Sequence, residues 1–226
     1  MGRMGEKGVN HMPKALLLLS GCGVRDGSEI HESVLCLLAL DKMGVAVQYT
    51  APNITQAKSF DHFHQTAEQT PRNALVEAAR IARCAIVPTR GDLEADLLVI
   101  PGGLGAATTL CTYAEHKEKA TVLPEVKELI LSFYNQKKPI VATCIAPALI
   151  ALSLQGIASL ELTLGTSEAD LEFLKNLGMV PKPCTSDNFV LDSTNKIATT
   201  PAYMEKTSVS HMYTGIEGAV SAALTV

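Results

Sequence analysis

The sequence predicts an α/β fold built on a doubly wound parallel sheet. Two observations predict it. From Lys14 onward, short unbroken apolar runs alternate with longer segments of helical apolar spacing. Strands buried on both faces read as such runs, and the alternation with helices is the pattern of parallel sheets. A third observation concerns function: the runs end at Gly21-Cys-Gly23, at Pro101-Gly102-Gly103 and at Cys144. In this architecture ligands sit beyond the carboxyl ends of the strands, so these three segments are expected to meet there.

Taken in order, Lys14 to Ser20 reads as a central strand. Ser28 to Met43 has helical spacing, with Ile30, Val34, Leu35, Leu37, Leu38 and Leu40 on a broad apolar face and Gly44 as its stop. Val45 to Thr50 alternates as a second strand. Arg72 to Ala85 is expected to be helical, with Leu75, Val76, Ala78, Ala79 and Ala82 inward. Asp96 to Ile100 forms a third strand, closed by the Pro-Gly-Gly turn. Pro124 to Gln136 reads as a helix. Ile140 to Thr143 is a short buried strand, and Ala146 to Leu154 an apolar helix. Beyond Gly156, strands are expected at 160–164, 189–192 and 196–199, and the fold is expected to carry a small C-terminal β-hairpin. Helices are expected at 167–177 and 205–224.

Residues 1–13 are polar and glycine-rich and read as a flexible tail, leaving 14–226 as one domain. The tail has no apolar stretch of the kind a secretory signal needs, and it is short and arginine-poor for an organellar leader. With 47% hydrophobic and 19% charged residues, the chain has a globular composition that needs no disulfide or metal to build a core. A net charge of −4 argues against nucleic acid or an anionic membrane as partner. No apolar run is long enough to span a bilayer. The six cysteines are far apart, with no Cys-x-x-Cys pair and no zinc-like spacing to histidine. Reduced thiols in a cytoplasmic setting are therefore expected, with no metal and no cofactor.

Cys144 falls in the turn between a buried strand and an apolar helix, where a nucleophile elbow holds its side chain. Helix N-terminal N–H groups there favour a thiolate, so a low thiol pKa is expected. The alternative is a small buried hydrophobe, which most free cysteines are. Glu32 lies in the first turns of the helix after strand one and can point over the sheet edge toward Cys144. A partly desolvated carboxyl beside a thiol would have a raised pKa and could serve as acid or base; the alternative is a solvent-facing first-turn glutamate. The adjacent Gly102 and Gly103 let backbone N–H groups approach a ligand as an oxyanion hole requires, or simply make a tight turn.

Other motifs fail on spacing. Gly21-Cys-Gly-Val-Arg-Asp-Gly27 has Asp26 where a dinucleotide site needs its third glycine, and no acid follows the second strand. His31-Glu32 begins like a metalloprotease motif, but Leu35 replaces the second histidine. Cys22, in the first loop, is a candidate second reactive or resolving thiol. Cys36 and Cys111 are expected to be packed, and Cys84 and Cys184 to lie near element ends. His31 points about 100° away from Glu32 around the helix, which leaves it a role in orienting a loop or a packing role. His62, His64 and His211 have no evident cysteine partner.

Gly27-Ser-Glu-Ile-His-Glu32-Ser-Val34, Val99-Ile-Pro-Gly-Gly103 and Thr143-Cys-Ile-Ala-Pro147 together resemble the PfpI/parkinsonism-associated deglycase superfamily. That superfamily has a flavodoxin-like, class I glutamine amidotransferase-like fold. Within it, Gly21-Cys-Gly-Val, Arg72-Asn-Ala-Leu-Val-Glu-Ala-Ala-Arg80 and Thr199-Thr-Pro-Ala-Tyr-Met204 are similar to the ElbB branch, named for isoprenoid biosynthesis and glyoxalase activity. The similarity runs in order over nearly the whole chain after Pro13. It implies Cys144 as nucleophile, Glu32 as its hydrogen-bonding partner, and the N–H groups of Gly103 and Ile145 as the oxyanion hole. No histidine of a Cys-His-Glu triad can be placed, which weakens glutamine hydrolysis and proteolysis as readings.

The resemblance implies a cofactor-free glyoxalase that converts glyoxal or another small dicarbonyl to a 2-hydroxy acid such as glycolate, with Arg72 available to neutralise the acid. It also implies a homodimer. The competing expectation is a redox-sensing or interaction protein that uses the same cysteine, with a link to isoprenoid biosynthesis.

Overall fold

Unbroken apolar runs become the strands of one large sheet because alternate residues are buried on opposite faces. The computed structural model describes residues 12–226, so most of the expected tail lies outside the described residues. The elements are β1 (Lys14–Leu18), α1 (Ile30–Lys42), β2 (Ala46–Ala51), β3 (Ser59–Asp61), β4 (Thr66–Glu68), α2 (Ala74–Ile81) and β5 (Ile86–Pro88). They continue with β6 (Leu97–Ile100), α3 (Leu104–Thr108), α4 (Tyr113–His116), α5 (Pro124–Asn135), β7 (Ile140–Thr143) and α6 (Ala146–Leu154). The last are β8 (Glu161–Leu162), α7 (Glu168–Asn176), β9 (Val180–Pro181), β10 (Val190–Asp192), β11 (Ile197–Thr200) and α8 (Val209–Ala223).

Seven strands form the main sheet in the order β10-β11-β7-β6-β1-β2-β5. All neighbours are parallel except β10 and β11, which form the expected C-terminal hairpin at one edge. Leu16, Leu18, Leu98, Ile100 and Ile140 face α5 and α6, against Leu129, Phe133 and Leu149. Leu17, Leu19, Leu97, Val99 and Val141 face α1 and α8, against Ala39, Leu40 and Ile216. That is the period-two split of a strand between two cores. Every residue of α6 is buried, as a helix apolar all round must be. Strand order reverses at β1 and β6, so the carboxyl ends of β1, β6 and β7 frame the switch-point crevice. No helix among the described residues is long and apolar enough to cross a membrane.

The structure corrects several expectations. In α1 the buried face is Glu32, Ser33, Cys36, Ala39 and Leu40, while Ile30, Val34 and Leu38 are exposed. Small side chains at Ser33, Cys36 and Ala39 suit a close approach to the sheet and α8, and that rotation turns the larger residues outward. In α2, Val76 is exposed and Glu77 is buried, paired with Arg80 at 2.9 Å. The helix also stops at Ile81 rather than Ala85, because Arg83 and Cys84 take positive φ values of 51° and 72°. The β3–β4 hairpin and β5 escaped the sequence reading, since three-residue strands carry too little periodicity to register.

Candidate functional site

Cys144 directly follows β7 at φ 57°, a conformation that a non-glycine residue adopts only under tertiary constraint. Its own N–H donates to the Thr200 carbonyl at 2.9 Å, tying the elbow to the end of the neighbouring β11. Ile145 caps α6, with Pro147 in the first turn. The N–H groups of Gly103 and Ile145 both point at Cys144 Sγ. Gly103 has φ 94°, and a Cβ there would lie 2.8 Å from the Ser28 carbonyl carbon, so only glycine fits this turn.

Glu32 is fully buried. Its Oε2 accepts from Gly102 N–H at 2.8 Å and from Thr143 Oγ1 at 2.9 Å, and its Oε1 from Tyr203 N–H at 3.4 Å. The Cys144 thiol is hydrogen-bonded to the same carboxyl. Glu29 caps α1 by accepting from the Glu32 N–H at 2.7 Å, which fixes the register that aims Glu32 inward. Burial, and then the nearby Glu29 carboxylate, push the Glu32 pKa up to about 7, against the pull of its hydrogen bonds.

Cys144 departs from expectation. Burial and the Glu32 charge hold its thiol well above the ordinary cysteine value, and the N–H groups of Gly103 and Ile145 only partly oppose them. The proton therefore stays on the sulfur, hydrogen-bonded to the carboxyl, and the site does not present a standing thiolate. The helix N-terminus acts in the expected direction, but desolvation at the buried sulfur outweighs it.

The remaining expected residues sort clearly. Gly102 gives its N–H to Glu32, so it anchors the carboxyl and does not face the cavity as an oxyanion donor. A Cβ on Gly102 would lie 2.7 Å from Glu32 Oε2 and 3.0 Å from Cys144 Sγ. His31 sits exposed on α1, its Nδ1 2.8 Å from the Tyr203 hydroxyl. Cys22 is half-buried beside Glu77, Arg80, Asp26 and Arg72; burial raises its thiol pKa, and it does not line the Cys144 cavity. Arg72 is engaged by Glu68 and Glu77 and does not line that cavity either. Thr143 and Tyr203 belong to the site but were missed as site residues. Tyr203 follows β11, the parallel neighbour of β7, so adjacency of those two strands was the signal that would have found it.

Cys144 opens onto a cavity of about 380 Å³, shared with Gly103, Ile145, Leu104, Tyr113 and Tyr203. Among the described residues, no cluster of three or more histidine, cysteine or acidic side chains is placed to hold a metal ion.

No protein-family model matches the chain. The rat ES1 protein homolog, mitochondrial, is 37% identical over 226 residues, covering 93% of this chain and 83% of its own length. The human glutamine amidotransferase-like class 1 domain-containing protein 3, mitochondrial, is 37% identical over 225 residues, covering 93% and 82%. The chain belongs to the ES1 family. Among solved structures, an isoprenoid biosynthesis protein with an amidotransferase-like domain from Ehrlichia chaffeensis superposes with this ES1-family chain at TM-score 0.88. It is 36% identical and covers 94% of this chain and 98% of its own. DJ-1beta of Drosophila melanogaster, 21% identical at TM-score 0.55 and covering 95% and 90%, shares the fold. These likenesses agree with the resemblance drawn from the motifs and with the class I glutamine amidotransferase-like fold.

Proposed function

We propose that this ES1-family protein is a cofactor-independent glyoxalase acting on 2-oxoaldehydes and glyoxal. The observation that carries the reading is the buried Glu32–Cys144 pair, in which a carboxyl with a pKa of about 7 accepts the hydrogen bond of a protonated thiol. An ionised Glu32 takes that proton as Sγ adds to the aldehyde carbon. The oxygen of the resulting hemithioacetal lies nearest the Gly103 and Ile145 N–H groups, which stabilise its negative charge.

The carboxyl then moves a proton from the thiol-bearing carbon to the adjacent carbonyl carbon through an enediol. The first carbon is oxidised to a thioester as the second is reduced to an alcohol, so no external oxidant or reductant is needed. Water hydrolyses the thioester, releasing the 2-hydroxy acid and regenerating the thiol. With Arg72 committed to Glu68 and Glu77, it has no part in this scheme. His31 makes its hydrogen bond to Tyr203, which argues against a histidine-dependent amidase or protease.

The raised thiol pKa also weighs against the redox-sensor reading, because oxidation follows thiolate character. The rat and human relatives carry mitochondrial names. A place in isoprenoid biosynthesis rests on the name of the Ehrlichia protein alone.

The test is glycolate formation from glyoxal without glutathione or metal. Turnover is expected in the wild type and absent in Cys144→Ala. Turnover that survives the substitution, or none in the wild type, would refute the reading.

A further inference from the structure

The cavity is much larger than glyoxal. Its volume of about 380 Å³ equals that of roughly a dozen liquid waters at about 30 Å³ each, whereas glyoxal has four heavy atoms and displaces only a few. The volume falls within the range of pockets that take ligands many atoms larger. Its walls beyond the reacting groups are chiefly apolar: Val24, Leu104, Ala107, Tyr113 and Met204.

The charged groups on the lining do not select a charged substrate. Lys117 is exposed, with its Nζ 4.6 Å from the Tyr113 ring centre, and Asp170 carries the opposite sign. Glu29, also on the lining, disfavours an anionic tail near the thiol. A small hydrophilic dicarbonyl would leave this apolar lining wet and unused.

We infer that the preferred substrate is a 2-oxoaldehyde carrying an uncharged apolar substituent of about five or more carbons, seated against Leu104, Ala107, Tyr113 and Met204. This rests on the glyoxalase reading and deepens it. The chemistry is unchanged: the aldehyde end meets Cys144, the ketone carbon is reduced, and the substituent stays in the cavity throughout. Because the tail is held equally in ground and transition states, its burial lowers KM and raises kcat/KM with little effect on kcat.

Each methylene moved from water to an apolar wall favours binding by about fourfold. Methylglyoxal and 2-oxoheptanal are both aliphatic 2-oxoaldehydes and differ by four methylenes, so their intrinsic electrophilicity is matched. With partial burial, kcat/KM is expected to be on the order of 100-fold higher for 2-oxoheptanal.

The experiment measures 2-hydroxy acid formation from glyoxal, methylglyoxal and 2-oxoheptanal, without glutathione, for the wild type, Cys144→Ala and Ala107→Leu. Ala107→Leu fills the apolar end and is expected to cut the 2-oxoheptanal to methylglyoxal ratio at least tenfold. Ala114→Phe, at an exposed lining position, repeats the test should Ala107→Leu not fold. A wild-type ratio near one, with all three compounds turned over through Cys144, would overturn the inference and leave the glyoxalase reading standing. A high ratio that both cavity-filling variants leave unchanged would also overturn it, since the tail would then bind elsewhere. Absence of Cys144-dependent turnover for every compound would remove the glyoxalase reading itself.

Discussion

Glu32→Gln should stabilise the protein at and above neutral pH while removing its activity. The folded-state pKa of Glu32 is about 7, against 4.5 for an unperturbed glutamate, so folding takes up a proton between those values. A carboxyl with a raised folded pKa contributes its full stability below the unfolded value and loses it as pH rises through the folded value. The gap corresponds to about 3 kcal/mol by pH 8, from 1.4 kcal/mol per pKa unit over a fully buried site. Glutamine keeps a carbonyl acceptor for Gly102 N–H and Thr143 Oγ1 but carries no charge to desolvate. Urea unfolding of both proteins at pH 5, 6, 7 and 8 gives the difference directly, and groups common to both cancel. The variant's advantage should grow by roughly 2.5 kcal/mol from pH 5 to pH 8. A difference that stays flat across that range would refute the assignment of a raised pKa to Glu32, and with it the Glu32–Cys144 pair.

Four further outcomes follow from the same geometry. The kcat/KM for any turned-over dicarbonyl should rise with pH around a midpoint near 7, where Glu32 becomes able to accept a proton, and Glu32→Gln should lose about 10²- to 10⁴-fold. Alkylation of Cys144 by iodoacetamide at pH 8 should be slower than that of a free thiol, and faster in Glu32→Gln, because the carboxylate charge that raises the thiol pKa is gone. Gly102→Ala should abolish turnover and cost about 1–3 kcal/mol in chemical unfolding, since its Cβ would crowd Glu32 Oε2 and Cys144 Sγ. Tyr203→Phe and His31→Ala should each cost roughly 0.5–1.5 kcal/mol, and the double variant no more than either alone, because both remove one hydrogen bond; an additive double variant would show that the contact is not made in solution.

Legibility in the sequence followed signal length. The runs at Leu16–Leu19, Leu97–Ile100 and Ile140–Thr143 are central strands, and their apolar continuity reflects burial on two faces. The positions of Cys144 and Glu32 were legible because each sits at a fixed offset from such a run, on the edge where parallel strands end. Which face of α1 turns inward was not legible. Its apolar residues spread too widely to choose one side, and the deciding factors were the small Ser33, Cys36 and Ala39 and the Glu29 cap. Tyr203 and Thr143 were missed for a different reason. Tyr203 reaches Glu32 because β11 pairs with β7, and Thr143 because α1 packs over the end of β7; both are contacts between distant segments that local periodicity does not encode.

The thiol's pKa shows why an elbow motif alone misleads about reactivity. A helix N-terminus and two N–H groups lower a thiol pKa, and the sequence pattern reveals only those. Burial and a carboxylate partner raise it, and both depend on tertiary packing. The balance favours a neutral thiol whose proton is hydrogen-bonded to a neighbour that titrates near neutrality. Such a pair is poorly suited to reacting with any passing oxidant and well suited to releasing its proton when a bound electrophile draws on the sulfur. On the proposed chemistry Glu32 would both restrain the thiol at rest and activate it in turnover, so a substitution there should separate alkylation rate from catalytic rate, raising the first and lowering the second.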